Sequence, residues 1–184
     1  MQRINLQKLR DMAYDAAGSI DKIYIHWTAG KYHQCFEDYH INIDNDGAII
    51  ISSELLTVRK SHTWMRNSRA IGIALCCGFG ARANNGNINY GDWPPTAIQI
   101  ESAAVVLAVL CEELHLPISR TCVMTHCEAA EIDGYGPSTS CERWDLWKLV
   151  DTADGKTKGG GEILRGKAIW YQQRRYNHCF EIIR

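Results

Sequence analysis

The chain has 184 residues, of which 46% are hydrophobic and 22% are charged, and its formal net charge is −1. A chain of this length can bury a stable core without disulfides or structural metals, which favours a single globular domain. The small net charge argues against a nucleic-acid partner, because nucleic acids normally select a basic surface. No run of residues approaches the apolar length of a membrane span, which argues against a membrane protein.

The N-terminal segment and the cysteines bear on the compartment. Residues 1–18 are charged and amphipathic and lack the apolar core of a secretion signal, so we expect synthesis in the cytoplasm. The eight cysteines do not indicate a disulfide framework, because a chain this long and apolar does not need one. We expect most of them to be small buried hydrophobic residues, and one of them is a candidate metal ligand.

A helix and a strand are predicted first. The helix covers roughly residues 4–17, with Gly18 as its stop. The following run, KIYIHW (22–27), alternates in the manner of a strand and places His26 near its C-terminal end. Active residues often lie at such strand ends, although a single histidine there is more commonly a satisfied edge residue.

A hairpin and a central strand follow. YHINI (39–43) and AIIIS (48–52) flank Asp-Asn-Asp-Gly (44–47), which is a strong hairpin signal, and Tyr39 opens the first strand. The continuous apolar run at 70–77 predicts a central strand that is buried on both faces.

The second half of the chain predicts a surface excursion, a long helix and a short strand. Residues 78–93 are rich in Gly and Asn and form the excursion. Thr96 and Gln99 form a capping box for a helix that Pro117 stops. The strand CVMTH then ends at His126, as KIYIH ends at His26.

The C-terminal region predicts a linker and a final packed element. Residues 150–161 are rich in Gly and Lys and indicate a linker or mobile loop. The segment from 162 to 184 is expected to form a helix or hairpin that packs on the sheet. The alternative is a wall-binding or partner-binding edge formed by Trp170, Tyr171, Arg174 and Arg175.

The two histidines at the strand ends, His26 and His126, are the first candidate metal ligands. A catalytic zinc takes three ligands from His, Cys and Asp side chains and keeps a position for water. Besides His126, the stretch 125–149 offers Cys127, Cys141 and Asp145. Cys127 is the weakest candidate, because neighbours on an extended backbone point to opposite sides. Asp145 is either a ligand or the cap of a helix that begins RWDLWKL.

Four motifs in order resemble the zinc amidase family that includes a short phage lysozyme with amidase activity, peptidoglycan recognition proteins and bacterial N-acetylmuramoyl-L-alanine amidases. They are His26 in the first strand, YHINIDNDG (39–47), HTWMRNSRAIGI (62–73), and His126 followed by TSC (139–141). Each motif is modest alone, but their order and joint spacing are specific. The resemblance spans residues 22 to about 149.

The resemblance implies the roles of individual residues. It implies that His26, His126 and Cys141 hold a zinc ion. It also implies that Tyr39 and Thr139 are catalytic, as hydrogen-bond donors to the oxyanion. We add three candidate substrate-binding residues that lie in or beside the motifs: Trp27, His62 and Asn67.

Three departures from the family pattern affect this assignment. The segment between His26 and Tyr39 is short, so a helix of many family members is expected to be missing. The segment between His126 and Cys141 is longer and inserts EIDGYGP. Asp145 competes for the third ligand position; Cys141 is preferred because the family ligand usually precedes an FDL-like or FDW-like helix start by four to six residues. No glutamate matches the general base of some relatives, so Tyr39 or a water must handle the proton.

The expected fold is α/β, a single domain with a central mixed β-sheet flanked by helices and a zinc site at one edge. Residues 1–150 are expected to form the catalytic domain, and residues 151–184 a loop and C-terminal extension packed on it. The implied reaction is hydrolysis of the amide bond between N-acetylmuramic acid and L-alanine in bacterial peptidoglycan. An HExxH zinc peptidase is disfavoured, because the chain has no such motif.

The alternative is a non-catalytic peptidoglycan-binding module of the same fold. Joint retention of Tyr39, Thr139 and Cys141 favours catalysis. We expect a monomer that binds peptidoglycan or muropeptides and acts on the bacterial cell wall after phage-, effector- or prophage-type delivery. An endolysin, a secreted antibacterial effector and a recycling enzyme all stay open.

Overall fold

A computed structural model describes residues 1–84, 86–134 and 144–174. The helices within these ranges are α1 (Leu6–Asp15), α2 (Ala97–Glu113), α3 (His126–Ile132) and α4 (Gly160–Gln173). The strands there are β1 (Gln2–Ile4), β2 (Lys22–Trp27), β3 (Ile41–Ile43), β4 (Ile49–Ile51), β5 (Ala70–Leu75), β6 (Arg82–Asn84), β7 (Asn87–Asn89), β8 (Val123–Thr125), β9 (Lys148–Val150) and β10 (Thr157–Gly159).

A mixed sheet forms the centre of the molecule, in the order β1-β4-β3-β5-β2-β8. Strands β3, β5, β2 and β8 are parallel, whereas β4 is antiparallel to both of its neighbours. All six residues of β5 are buried, which confirms the central strand expected from the apolar run. The predicted α/β fold is therefore confirmed.

The helices cover the sheet around α2. Helix α2 is buried on most of its sides, and it packs against α1 and α4. The predicted capping box is present, since the Thr96 hydroxyl accepts the Gln99 N–H and the Gln99 side chain returns to the Thr96 backbone. Among the described residues, no helix combines the length and apolar character needed to cross a membrane.

Two N-terminal boundaries differ from the prediction. Ile4 belongs to strand β1, where it pairs with Ile49, and the helix begins only after Asn5, whose side chain accepts the Lys8 N–H at 2.9 Å. The hairpin β3–β4 is confirmed, with Gly47 at φ +81° in its turn. Tyr39 does not open the first strand, because β3 begins at Ile41.

The strand before His126 ends one residue earlier than predicted. β8 stops at Thr125, and His126 is the first residue of α3. The change follows from a second capping box, in which Thr125 and Glu128 satisfy each other's backbone N–H groups. His126 therefore lies at a strand-to-helix junction.

The C-terminal region differs most from the prediction. No helix begins at Asp145; residues 144–147 form turns that lead into β9. The linker expected at 150–161 is wrong, because β9 and β10 form a hairpin in which Lys158 Nζ contacts Asp151 Oδ2 at 2.7 Å. The described part of the final segment forms helix α4, which packs mainly on α2 and also contacts β8 of the sheet.

The alternative binding edge in this tail was predicted from Trp170, Tyr171, Arg174 and Arg175, of which the first three lie in α4 or at its end. Tyr171 is buried, and its hydroxyl donates to Glu101 Oε2 at 2.8 Å, so it belongs to the core. Trp170 is 46% exposed, and the Arg174 guanidinium lies 4.4 Å from the centre of its ring. Arg175 lies outside the described residues.

Candidate metal centre

Two parallel strands bring the candidate histidines together. Ile25 of β2 pairs with Thr125 of β8. The residues that follow them, His26 and His126, therefore lie at the same edge of the sheet. The rings of His26 and His126 consequently lie 4.7 Å apart, centroid to centroid. The sequence-based expectation that the two imidazoles share one sheet edge is confirmed.

Asp145 is the third member of this cluster. Its Oδ2 atom lies 3.0 Å from His26 Nδ1 and 3.1 Å from His126 Nδ1. Its Oδ1 atom accepts the Trp27 backbone N–H at 2.6 Å. The carboxylate is thus fixed on both oxygens, and only 3% of the residue is exposed. The structure places Asp145 at a buried centre and not at a helix cap.

The electrostatics of the cluster suit a divalent cation. Burial lowers the pKa of His26, so its imidazole is neutral at neutral pH. Burial acts to raise the pKa of Asp145, but hydrogen bonds from His126 and His26 outweigh it and hold the pKa below its usual range. Neutral imidazoles and an ionised carboxylate are the protonation states in which these groups bind zinc.

The spacing of the donor atoms fits a tetrahedral metal ion. One ligand atom from each of His26, His126 and Asp145 lies within 4.8 Å of the others. Ligand atoms about 2.1 Å from a tetrahedral zinc are separated by roughly 3.4 Å. The Asp145–His separations of 3.0 and 3.1 Å are close to this value. A small outward shift of the side chains would accommodate zinc.

Thr63 and His62 form a second layer behind His26. Thr63 Oγ1 lies 3.2 Å from His26 Nε2 and 2.9 Å from His62 Nδ1. Asn67 Oδ1 accepts the backbone N–H groups of His62 and Thr63, at 3.1 and 2.8 Å, and thereby fixes this loop. Such contacts to the far nitrogen of a ligating histidine set its tautomer and orientation.

His62 packs directly on the central strand. A Cβ atom at Gly72 would lie 2.6 Å from the His62 ring, so only glycine leaves room for it. Burial lowers the pKa of His62 to about 2, and the ring is neutral. The Nε2 atom of His126 is buried without a hydrogen-bond partner among the described residues. A buried nitrogen of this kind at the cluster is consistent with a place for a polar ligand.

Tyr39 lies beside the histidine pair. Its ring centroid is 5.1 Å from that of His26, and its hydroxyl donates to the Trp27 carbonyl at a long 3.4 Å. Burial raises the pKa of Tyr39 well above its ordinary value, so the hydroxyl stays protonated. It can therefore donate a hydrogen bond, but it is poorly suited to act as a base.

Other predicted site residues have different positions. Trp27 is 4% exposed, and its indole packs on Gly78 and Tyr90, so its backbone and not its ring contacts the cluster. Cys127 is buried with its Sγ atom near Glu131, apart from the cluster, in accord with its low ranking. Thr139 and Cys141 lie outside the described residues.

Sequence reasoning missed Thr63. Its hydroxyl matters because the loop folds back onto His26, which is 37 residues away in the chain. The only available signal was its place between His62 and Trp64 in a motif shared with a known family. A threonine in a polar loop carries no periodic or spacing pattern of its own.

Comparison with known proteins identifies the family of the chain. A family model described as N-acetylmuramoyl-L-alanine amidase matches residues 16–144, more than two thirds of the chain. Comparison with curated proteins finds no individual match. The matched segment contains both histidines, Tyr39 and the loop of Thr63, and it ends one residue before Asp145. The chain belongs to the N-acetylmuramoyl-L-alanine amidase family.

Proposed function

We propose that the protein is a zinc-dependent enzyme that hydrolyses the amide bond between N-acetylmuramic acid and L-alanine in peptidoglycan. The observation that carries this proposal is the buried His26–His126–Asp145 cluster in a chain of the amidase family. Family membership supports amidase activity on peptidoglycan in general; the cluster supports the metal dependence.

The residues of the centre have separable roles in the proposed reaction. A bound zinc ion would lower the pKa of its water ligand to about 7 and would polarise the amide carbonyl. His26, His126 and Asp145 would hold the ion, and Thr63 would keep His26 in the tautomer that presents Nδ1. Tyr39 would donate its hydroxyl proton in a hydrogen bond to the oxyanion that develops on the substrate. Thr139 stays a candidate for a second donor.

Two residues compete for the position of the third metal ligand, Asp145 and Cys141. Asp145 is supported by its contacts with both histidines. Cys141, four residues earlier, was preferred from the family motif and stays a prediction, because it lies outside the described residues. We propose Asp145, since its carboxylate is already ionised, buried and aimed at the two Nδ1 atoms.

Zinc content distinguishes the two assignments. The wild-type protein should bind one zinc ion after dialysis against buffered zinc, and His126→Ala should lose it, since a site with two ligands binds weakly. Asp145→Ala should lose zinc as well, whereas Cys141→Ala should retain it. Zinc retained by Asp145→Ala and lost by Cys141→Ala would assign the position to Cys141. Circular dichroism of each variant checks that it is folded.

Digestion of purified peptidoglycan tests the reaction itself. Mass spectrometry of the products should find free stem peptides that begin with L-alanine, together with glycan strands that have lost their peptides. New reducing sugar ends would indicate a glycosidase instead. Retention of the protein on peptidoglycan without any product would indicate a non-catalytic binding module and would overturn the proposal.

The remaining expectations concern the protein as a whole. We propose that peptidoglycan or muropeptides are its partner, that it acts as a monomer at the bacterial cell wall, and that residues 151–184 extend a catalytic domain formed by residues 1–150. The hairpin β9–β10 and helix α4 support this arrangement, because α4 packs on α2 of the main body.

A further inference from the structure

Two cysteines that are distant in sequence meet beside the central sheet. The Sγ atoms of Cys35 and Cys76 lie 3.6 Å apart, although 41 positions separate the residues. Cys35 lies in the segment between His26 and Tyr39 and is half-buried, whereas Cys76 directly follows β5 and is fully buried. Cys35 is therefore the more accessible of the two residues.

Hydrogen bonds to Asn42 and Ile43 of β3 hold the backbone at both positions. Next to Cys35, the Phe36 N–H donates to Asn42 Oδ1 and the Asn42 amide donates to the Phe36 carbonyl, both at 3.0 Å. The Cys76 N–H donates to the Ile43 carbonyl at 2.9 Å. Gln99 Nε2 donates to the Cys76 carbonyl at 3.3 Å. The two thiols thus approach each other as a consequence of the sheet.

The separation of the sulfurs is within reach of a covalent bond. A disulfide requires about 2.05 Å between the sulfurs, so they must move together by roughly 1.5 Å. Side-chain rotation at the half-buried Cys35 can supply most of this movement while the backbone of Cys76 stays in place.

The environment makes the outer thiol the nucleophile. The hydrogen bond between the two thiols lowers the pKa of Cys35 and, together with burial, raises the pKa of Cys76. At Cys35, burial and the Asp44 carboxylate oppose this effect and the His33 imidazole adds to it, so the contact between the two thiols sets the direction of the shift. A thiolate is the reactive form in disulfide exchange, so attack by Cys35 should come first.

We propose that Cys35 and Cys76 form an oxidation site that closes to an intramolecular disulfide by exchange with a low-molecular-weight disulfide such as oxidised glutathione. The Cys35 thiolate attacks one sulfur of glutathione disulfide, the S–S bond breaks, and one glutathione thiolate leaves. Cys76 then attacks the Cys35 sulfur, its proton passes to the departing sulfur, and the second glutathione leaves. Two protein thiols are oxidised, and one glutathione disulfide is reduced to two thiols.

The bond would constrain the segment that leads to the candidate centre. It would join the loop before Tyr39 to the end of β5, whose neighbour β2 carries His26. The cytoplasm keeps such a pair reduced, and an oxidising compartment closes it. The inference does not depend on the proposed amidase activity, because the thiol pair contains neither a candidate metal ligand nor a catalytic residue.

Peptide mapping of the intact chain tests the site. Reduced protein is incubated with oxidised glutathione, blocked with iodoacetamide and digested without reduction. We expect the protein to lose the mass of two hydrogen atoms and to yield a cross-linked peptide joining Cys35 to Cys76. The cross-link should be absent from Cys35→Ser and Cys76→Ala. It should persist in Cys77→Ala, which removes the adjacent thiol of the same peptide.

A thermal melt gives a second readout. Cross-linking residues 41 positions apart restricts the unfolded chain, so the oxidised wild-type protein should melt about 5–15 °C higher than the reduced protein. Cys35→Ser should show no such shift with oxidant. A stable glutathione adduct on Cys35, or a cross-link that uses Cys77, would overturn the proposal, as would complete lack of reaction at Cys35. None of these readouts requires zinc or peptidoglycan.

Discussion

At the scale of single residues, the candidate centre depends on groups that contact the histidines without being proposed as ligands. Tyr39 and Thr63 both contact His26, the first with a ring-centroid separation of 5.1 Å and the second with a hydrogen-bond distance of 3.2 Å. Each carries one hydroxyl whose removal leaves the rest of the side chain in place. Their variants therefore separate a chemical contribution from a packing contribution.

Tyr39→Phe tests the oxyanion donor. The ring and its packing on His26 are retained, but the proton that would be donated to the oxyanion is lost. An interaction made mainly in the transition state lowers kcat with little change in KM. We expect turnover of peptidoglycan fragments to fall about 10²-fold or more, with zinc content and melting temperature near those of the wild type. Hydrolysis at the wild-type rate would make Tyr39 a packing residue only.

Thr63→Val tests the contact behind His26. Valine keeps the shape of threonine but cannot bridge His26 Nε2 and His62 Nδ1. Loss of such a partner typically weakens metal binding by about 10–100-fold. We expect a higher zinc dissociation constant in competition with a chelator, and recovery of most of the affinity in Thr63→Ser. Equal zinc affinity in all three proteins would show that Thr63 does not orient His26.

At the scale of elements, the turn that carries Asp145 is held from two sides. The Cys127 N–H at the start of α3 donates to the Asp145 carbonyl at 3.2 Å. The first residue of α4, Gly160, donates its N–H to the Trp147 carbonyl at 3.0 Å. A Cβ atom at Gly160 would lie 2.0 Å from the Leu146 carbonyl oxygen. The C-terminal helix therefore supports the Asp145 turn although it lies beyond the family match.

Gly160→Ala tests this support. The added methyl group must push the Leu146 backbone away, which should cost about 1–3 kcal/mol of unfolding free energy and weaken zinc binding. Gly166→Ala is the matched control in the same helix, because its methyl group would meet nothing within 4 Å. That control should gain about 0.5–1 kcal/mol and keep the zinc affinity of the wild type. Unchanged zinc binding in folded Gly160→Ala would separate α4 from the centre.

At the scale of the whole molecule, a buried histidine couples folding to pH. His40 is fully buried between the loop of Val58 and the central strand. Its Nε2–H donates to the Val58 carbonyl at 2.6 Å, and its Nδ1 atom accepts the Gly72 N–H at 3.0 Å. Only the Gly72 contact requires the neutral ring, because Nδ1 can accept a hydrogen bond only when it carries no proton. Burial accordingly lowers the pKa of His40 from 6.5 to about 4.

The free energy of unfolding should therefore fall with acid between pH 6.5 and 4. In this window the unfolded chain binds a proton at His40 and the folded chain does not, so His40 stabilises the fold fully above pH 6.5 and loses about 3 kcal/mol by pH 4. Urea unfolding of metal-free protein at several pH values should show this dependence of the unfolding free energy on pH. In His40→Asn, which keeps an acceptor for the Gly72 N–H, one proton fewer should be bound on unfolding, so the dependence should be weaker. Identical slopes in the two proteins would contradict the assignment.

The local patterns of the sequence determined the elements that frame the centre. The alternation of residues 22–27, the apolar run at 70–77 and the Asp-Asn-Asp-Gly turn are read within a few neighbours, because strands and turns depend mainly on adjacent residues. His26 and His126 could be paired from the sequence, since each lies at or just after the C-terminal end of an apolar strand and parallel strands end at one edge.

Only the tertiary structure decided the rest of the centre. Asp145 lies 119 positions from His26, and its local pattern predicted a helix cap; the packing of α3 and α4 around its turn directs it to the histidines instead. The roles of Thr63 and of the Cys35–Cys76 pair likewise arise from loops folding onto the sheet. Such contacts join residues without periodic spacing, so no local pattern encodes them, and their geometry exists only once the core is packed.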